Sequence, residues 1–483
     1  MQIIVKYDIM TKIYNNRKEN AMLKKFIGDK AFYSRVIAIT IPILIQNIIT
    51  NFVNVIDNIM VGQLGTEQMT GVAVVNQLIF VFNICIFGGI SGPGIFTAQF
   101  YGKNDTKGVR DTFRFKFLIV LAMTVIGVLL FLFCRDPLIS LFLHEGEEGL
   151  DIAKTLEFGR QYIAIVMLQL LPFAVMQAYA GTLRETGNTV VPMISGVAAV
   201  LTNTCLNYLL IFGKFGFPML GVRGAAIATV IARFVECFIV IIATHLNKVK
   251  YAFIVGAYRS MRIPFELIKK IVRKGFPLMI NEMLWSLGTA TLVQCYSLKG
   301  LEVVSAYNIS STVSNLFNCA FFAFGTTISI IVGQLLGAGE LKRAKDESTK
   351  ILALVVAICT VIGGIMLVLA PAIPSVYNTQ QSVKDLACEF LIVSAILMPI
   401  HGFTHSSYFT LRSGGKTGIT FLFDSGFMWA LTIPCAFILS RFTPLAIMPI
   451  FLAVQGIDVL KCILGYVLVK KGIWINNLVT DDE

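Results

Sequence analysis

Apolar residues run along this chain in long unbroken blocks, not in short alternations. From Val36 to Gly102 there is no Lys or Arg, and the only acids are Asp57 and Glu67. A helix needs ~20 apolar residues to cross the hydrocarbon core of a bilayer. Blocks of that length lie near 36–61, 69–100, 115–134, 158–183, 189–212, 221–246, 271–297, 303–336, 349–370, 388–411, 417–440 and 444–469. The pattern predicts an all-α polytopic membrane protein with 12 transmembrane helices. An even number of spans puts both chain ends on the same side of the membrane.

The twelve blocks repeat as two sets of six. At an offset of 235, Pro42 aligns with Pro277, Gly65 with Gly300, Glu67 with Glu302, Gln99 with Gln334, Gly102 with Gly337 and Arg110 with Lys345. At an offset of 228, Thr182-Leu183-Arg184 and Gly187-x-Thr189 align with Thr410-Leu411-Arg412 and Gly415-x-Thr417. The polar stretch His144–Thr155 absorbs the difference. The expected organisation is a cytoplasmic tail (1–21), a first lobe (22–246), a basic cytoplasmic linker (247–270), a second lobe (271–472) and a C-terminal tail (473–483). Because six is even, the two lobes share one orientation and form a parallel, pseudo-symmetric repeat about the membrane normal.

Composition agrees with the pattern. Hydrophobic residues make up 56% of the 483, and charged residues only 14%, against about 25% in a soluble domain; mean hydropathy is +0.76. A cytosolic enzyme, a secreted disulfide scaffold and a nucleic-acid-binding domain are excluded. The net charge of +12 is a topology signal. The two termini and the five loops on their side, with the adjoining helix ends, hold 30 Lys and Arg, the opposite loops 8, and only Arg233 and Lys461 lie deep inside spans. The positive-inside bias makes both termini cytoplasmic, and the basic surface meets lipid headgroups, not nucleic acid.

The ten cysteines form no C-x-x-C pair and nearly all fall in apolar blocks, where Cys acts as a small packing residue. The first 35 residues hold eight Lys and Arg and no apolar core long enough for a cleaved signal peptide. Translation starting at Met1 and at Met22 are both compatible with the sequence, since Met22-Leu23-Lys24-Lys25 reads as a cytoplasmic lead-in.

Two parallel repeats point to a transporter, because substrate sites form at repeat interfaces and alternating access rocks one half against the other. No H-E-x-x-H, Walker loop, G-x-S-x-G or Cys/His cluster supports an enzyme. With no nucleotide-binding domain in the chain, an ion gradient is the expected driving force.

Several motifs carry a specific resemblance. Pro42 to Gly65, with Asp57-Asn58-x-Met60-Val61-Gly62-x-Leu64-Gly65, is similar to the first helix of multidrug and toxic compound extrusion (MATE) transporters of bacterial type. Ala98-Gln99-Phe100-Tyr101-Gly102, Arg184-Glu185-Thr186-Gly187, Gly221-Val222-x-Gly224-Ala225-Ala226, Gly333-Gln334-x-x-Gly337-Ala338-Gly339 and Leu411-Arg412-Ser413-Gly414-Gly415 also resemble that family. The resemblance covers essentially everything after residue 25. It implies a V-shaped pair of six-helix lobes in the plasma (inner) membrane, exporting cationic, amphipathic compounds in exchange for H+ or Na+, with no other cofactor. A monomer in contact with membrane lipids is expected.

Ionisable residues at membrane depth are costly and mark function by default. Asp57 lies eight residues before Gly65, or ~12 Å in from the outer surface. Asn203 and Asn207, four apart, share a face of the fifth span at similar depth. An acid beside two amides can hold a proton or help to coordinate Na+; a local break or an interhelical bond would also use one. The resemblance makes Asp57 a coupling residue. Some family members carry an acid where this chain has Asn207, which weighs against a two-carboxylate proton site. In the second half Glu282, His401 and Asp424 form a second candidate cation or proton site. Several relatives have an acid in the tenth helix where this chain has His401, which disfavours a simple Na+ site and favours a titrating imidazole.

His401 and His405 have the spacing of a two-His metal face, but no local third ligand appears. Packing or cavity lining is the expected role, and no metal beyond the coupling ion is expected. Arg233/Glu236 and Asp458/Lys461, each three apart, read as buried structural ion pairs. Arg184 and Arg412 read as side chains snorkelling to the cytoplasmic surface. Among the 37 Phe and 17 Met, Trp285, one turn from Glu282, is the aromatic expected at a greasy substrate cavity, with Gln46 and Asn47 lining it. Two alternatives stay open. One is a lipid-linked saccharide flippase of the same superfamily, which would favour an Arg/Lys-rich chamber. The other is a polytopic membrane enzyme or receptor.

Overall fold

The computed structural model describes residues 26–140, 151–377 and 379–480, without the side chains of 54 and 55. The N-terminal tail 1–21, Met22 and most of His144–Thr155 lie outside these residues. The described residues form twelve long helices and no strand: α1 (Lys30–Gly62), α2 (Thr66–Gly102), α3 (Thr106–Phe133), α4 (Ile152–Glu185), α5 (Val190–Phe212), α6 (Val222–Leu246), α7 (Phe265–Ser297), α8 (Leu301–Gly337), α9 (Leu341–Leu369), α10 (Gln381–Ser413), α11 (Thr417–Phe442) and α12 (Ile447–Lys471). All but α7 are apolar enough along an 18-residue stretch to cross a membrane on length and composition alone. The exception carries Lys269, Lys270, Arg273 and Lys274 in its first turns.

Local chemistry sets the helix ends and their irregularities. Asp29 and Asp105 accept from the amides of Phe32 (2.7 Å) and Gly108 (2.9 Å), satisfying orphan N–H groups at the starts of α1 and α3. Gly65 and Gly300, aligned by the repeat, precede α2 and α8 with the same backbone, φ 129° and 126°. Only glycine adopts that conformation cheaply. Within α4 a 3-10 turn at Met167–Gln169 precedes Pro172. Within α11 two π turns, Leu422–Gly426 and Met428–Thr432, precede Pro434. In both helices proline withholds an N–H, and the turn that holds the freed carbonyl, Leu168 in α4 and Ala430 in the second π turn of α11, rearranges.

The halves interlock at the end of the bundle where α1 begins and α12 finishes, the basal end. Phe32, Val36, Ile39 and Ile43 of α1 are buried in a cluster otherwise built mainly from α8, α9 and α10. Thr40 and Thr327 share a hydrogen bond of 2.9 Å between the halves. On the other side α7 packs on α2, and a Cβ on Gly92 would stand 2.4 Å from the Gly275 Cα.

Two segments outside the spans are well anchored. Residues 247–264, basic in sequence, fold back on α3, where Arg110 donates to the carbonyl of Phe253 and Arg114 to those of Ala257 and Gly256 (both 2.8 Å). Tyr251, Phe253, Ile254 and Ala257 are buried there. The tail after α12 crosses the basal interface. Trp474 is fully buried, the Leu478 amide donates to Gln99 Oε1 of α2 (2.7 Å), and Asn477 donates to the Gly337 carbonyl of α8 (3.4 Å).

Candidate functional site

The first half encloses a cavity of about 540 Å3 among α1, α2, α4, α5 and α6. Its wall is rich in amides: Gln46, Asn58, Asn76, Asn83, Gln169, Gln177, Asn203 and Asn207. Its charged side chains are Asp57, Glu236, Arg184 and Arg233. The wall is therefore mixed and charge-balanced, these polar groups lying beside Val53, Ile79, Phe80, Phe173 and Met176. Of the Phe and Met, Phe80, Phe173 and Met176 line the cavity.

Asp57 sits where α1 faces α5. Asn207 donates to its Oδ1 at 2.8 Å. The donor and acceptor pattern favours the Asn203 amide orientation that puts its nitrogen 2.7 Å from Asp57 Oδ2 and its oxygen toward Thr229. Thus the three residues named from spacing meet at one point. Among the described residues no Lys, Arg or His nitrogen comes within 4.0 Å of the Asp57 carboxylate. The Asn207 Oδ1 is buried without a hydrogen-bond partner, so the site still has an acceptor to offer. Nearby, Tyr162 donates to Asn76 Oδ1 at 3.2 Å.

Arg233 and Glu236 pair at 2.8 Å, and both line the cavity. Arg184 does not snorkel. It turns inward and donates to Gln46 Oε1 at 3.1 Å, while its neighbour Glu185 pairs with the fully buried Lys116. Among the described residues no carboxylate lies within 4.0 Å of the Arg184 guanidinium. Asn47 is half-buried and not part of the lining. Trp285 is also outside the cavity, on α7 and 40% exposed.

The second half fills the equivalent region with a bonded chain of polar groups. Arg412 lies 3.5 Å from Glu282 Oε1, Tyr408 donates to that carboxylate at 3.1 Å, and Asn281 donates to Asp424 at 3.0 Å. Lys461 closes the chain at Asp424, 2.7 Å away. His401 Nε2 lies 3.2 Å from Asp458. Glu282 and Asp424 are thus each occupied by a cationic partner, whereas His401 Nε2 lies near Asp458 without a hydrogen bond. The Asp458/Lys461 pair expected from spacing is replaced by these two cross-helix pairs. Asp424 sits in the π turn Leu422–Gly426 of α11 and meets Lys461 of α12 across the helix interface. His405 is buried among Phe321, Phe322 and Phe409, away from His401's partner. Among the described residues no three His, Cys, Asp or Glu side chains converge as a metal site.

The MatE family model matches twice, over residues 42–209 and 277–438. The chain belongs to the MatE family. Its members are transporters, not enzymes, and this one is a multi-pass membrane protein. Among curated relatives, the probable multidrug resistance protein YoeA of Bacillus subtilis is 25% identical over 442 residues, spanning 88% of this chain and 91% of its own. The probable multidrug resistance protein NorM of Thermotoga maritima is 22% identical over 452 residues, covering 92% and 94%. A solved outward-facing multidrug resistance MATE family transporter of the MOP superfamily superposes with a TM-score of 0.81 at 16% identity, over 93% and 97% of the two chains.

In this MatE chain the residues missed by sequence reasoning are mostly uncharged, Asn76, Gln169, Gln177 and Tyr162 in the first half and Asn281 and Tyr408 in the second; the buried Lys116/Glu185 pair is the charged exception. The signal was present. Amides inside 20-residue apolar blocks are themselves anomalous in a bilayer, and counting them with the charges would have outlined the cavity.

Proposed function

We propose that this protein is a plasma-membrane antiporter that exports amphipathic compounds bearing a cationic centre, with H+ or Na+ entering through Asp57. The observation that carries this reading is the contrast between halves. Glu282 and Asp424 each have a cationic partner within 4.0 Å, whereas Asp57 has two amide donors, no cation within that distance and a position on the cavity wall. An ionised carboxylate accepts from both amides. Protonating it replaces one acceptor position with an O–H donor, so the amides and α5 must readjust. Sodium would instead be held by Asp57 with the carbonyl oxygens of Asn207 and Asn203 turned toward it, as a hard cation takes oxygen ligands. Either ion removes the charge that holds a cationic substrate, which couples ion entry to drug release.

The positive-inside bias makes the basal end cytoplasmic, with lobes 22–246 and 271–472 rocking about it and the chain acting as a monomer. Two arginines balanced by two acids leave no net-positive chamber of the kind a pyrophosphate-linked saccharide would need. The test is counterflow in proteoliposomes with ethidium, driven by a pH jump or a Na+ jump. Asp57→Asn should fold normally and lose gradient-driven efflux; retained efflux would refute the assignment, and the ion that drives wild-type efflux identifies the coupling.

A further inference from the structure

The two halves treat corresponding arginines differently. Under the repeat, Arg184 corresponds to Arg412, Asn47 to Glu282 and Gly196 to Asp424. In the second half Arg412 has Glu282 as its counter-ion and Asp424 occupies the space beside Asn281. In the first half both carboxylates are gone. Gly196 stands where Asp424 would be, with its Cβ direction pointing at Gln46 Nε2 only 2.9 Å away, and Arg184 keeps a neutral amide as its partner. Arg184, Gln46 and Gly196 all line the cavity. A buried guanidinium with no carboxylate within 4.0 Å is costly, and its forked N–H groups match a planar oxyanion.

We propose that Arg184 is the anion anchor of the substrate cavity and that the preferred substrates are zwitterionic amphiphiles. Their carboxylate docks on Arg184 and Gln46, while their amine faces Asp57. This rests on the export reading above and narrows its substrate class. Gln46 and Asp57 are eleven residues apart on α1 and return to nearly the same helix face, ~16 Å along the axis. The cavity therefore offers Arg184 near one end and Asp57 near the other, with amides and the mutually neutralised Arg233/Glu236 pair also on its wall. A substrate with both charges satisfies both ends without bringing net charge into the membrane, and an ion arriving at Asp57 displaces only its amine end.

The experiment uses a rhodamine with a free benzoate and the methyl ester of the same dye, which share one cationic ring system. Binding to purified full-length protein is read by fluorescence anisotropy at neutral pH. A charge-assisted pair at Arg184 should make the free acid bind about tenfold tighter than the ester. Arg184→Gln should bring the ratio to about one. Asn47→Glu, which restores the counter-ion position used by Glu282, should do the same without removing the arginine. Equal binding of the two dyes to wild type, tighter binding of the ester, binding of neither, or a ratio that survives both substitutions would each overturn the proposal. Gradient-driven export is scored separately in proteoliposomes. If dyes bind with the expected ratio yet neither is exported, the export reading fails and the anchor stands; if the ester is exported but bound as well as the acid, the reverse holds.

Discussion

Gly102 of α2 lies so close to Gln334 of α8 that a Cβ on the glycine would stand 1.9 Å from the Gln334 carbonyl oxygen. The relationship is reciprocated: a Cβ on Gly337 would stand 1.9 Å from the carbonyl oxygen of Gln99. These are the residues that the repeat aligns, so the pseudo-twofold axis passes through this crossing. Backbone meets backbone there, and no side chain can rotate away to make room.

Gly102→Ala and Gly337→Ala should therefore force the basal ends of α2 and α8 apart, at a cost of about 1–3 kcal/mol each. Thermal melting in detergent, followed by size-exclusion fluorescence, should show a clear fall for both. Gly456→Ala on α12 is the control, because nothing lies within 4 Å of its Cβ position and Ala is the better helix former. Equal melting of all three variants would show that the crossing does not carry stability.

The tail after α12 ties the same crossing from outside. Gln99 donates to the carbonyls of Ser413 and Asn476 (3.1 and 3.3 Å) and Lys103 to that of Val479 (2.8 Å), so one short segment is bonded to both halves. Trp474→Ala should remove about 3–5 kcal/mol by emptying a fully buried site. It should also expose the bonds of residues 476–479 to water. Faster proteolytic trimming of the C-terminus together with a lower melting temperature is the expected result; an unchanged trimming rate would show that Trp474 does not hold the tail in place.

The twelve spans, the repeat and the meeting of Asp57 with Asn203 and Asn207 were legible in the sequence, because a bilayer punishes charge and favours helices so strongly that few patterns remain. The direction of Arg184 was not. A residue at a helix end either snorkels or turns inward, and what decides between them is a partner 138 positions away, Gln46. The same holds for Lys461, whose nearest acid in sequence is Asp458 but whose partner in space is Asp424. Spacing within a helix reports neighbours on that helix only; pairing between helices depends on packing, and here on a π turn that hydropathy does not register.

The linker makes a further test. Arg114 donates to the carbonyls of both Ala257 and Gly256 while pairing with Asp111 at 2.8 Å, so its guanidinium makes the shortest bonds that hold residues 247–264 on α3, beside those of Arg110. Arg114→Ala should release that segment and raise the rate of tryptic cleavage at Lys248, Lys250, Arg259 and Arg262. Lysine at 114 keeps the charge but not the fork, and should be cleaved at nearly the rate of the alanine variant. Cleavage at the wild-type rate in the alanine variant would mean that the buried Phe253 and the Arg110 bonds, not Arg114, anchor the linker.

Lys461 and Asp424 provide the sharpest test of how the second half differs from the first. Both side chains are largely buried, 16% and 18% exposed, and Lys461 also lies 5.4 Å over the Phe423 ring. Removing one partner of such a pair strands the other charge, at a cost of about 3–5 kcal/mol, whereas replacing both with apolar residues of similar size is often neutral. Asp424→Leu and Lys461→Met should each melt well below wild type, and the double variant should recover most of the loss, a coupling read directly from the cycle. If the pair serves only structure, as we infer from its internal neutralisation, the double variant should also retain ion-driven export in proteoliposomes. A double variant that is stable yet inactive would move the coupling chemistry out of the first half and into the second.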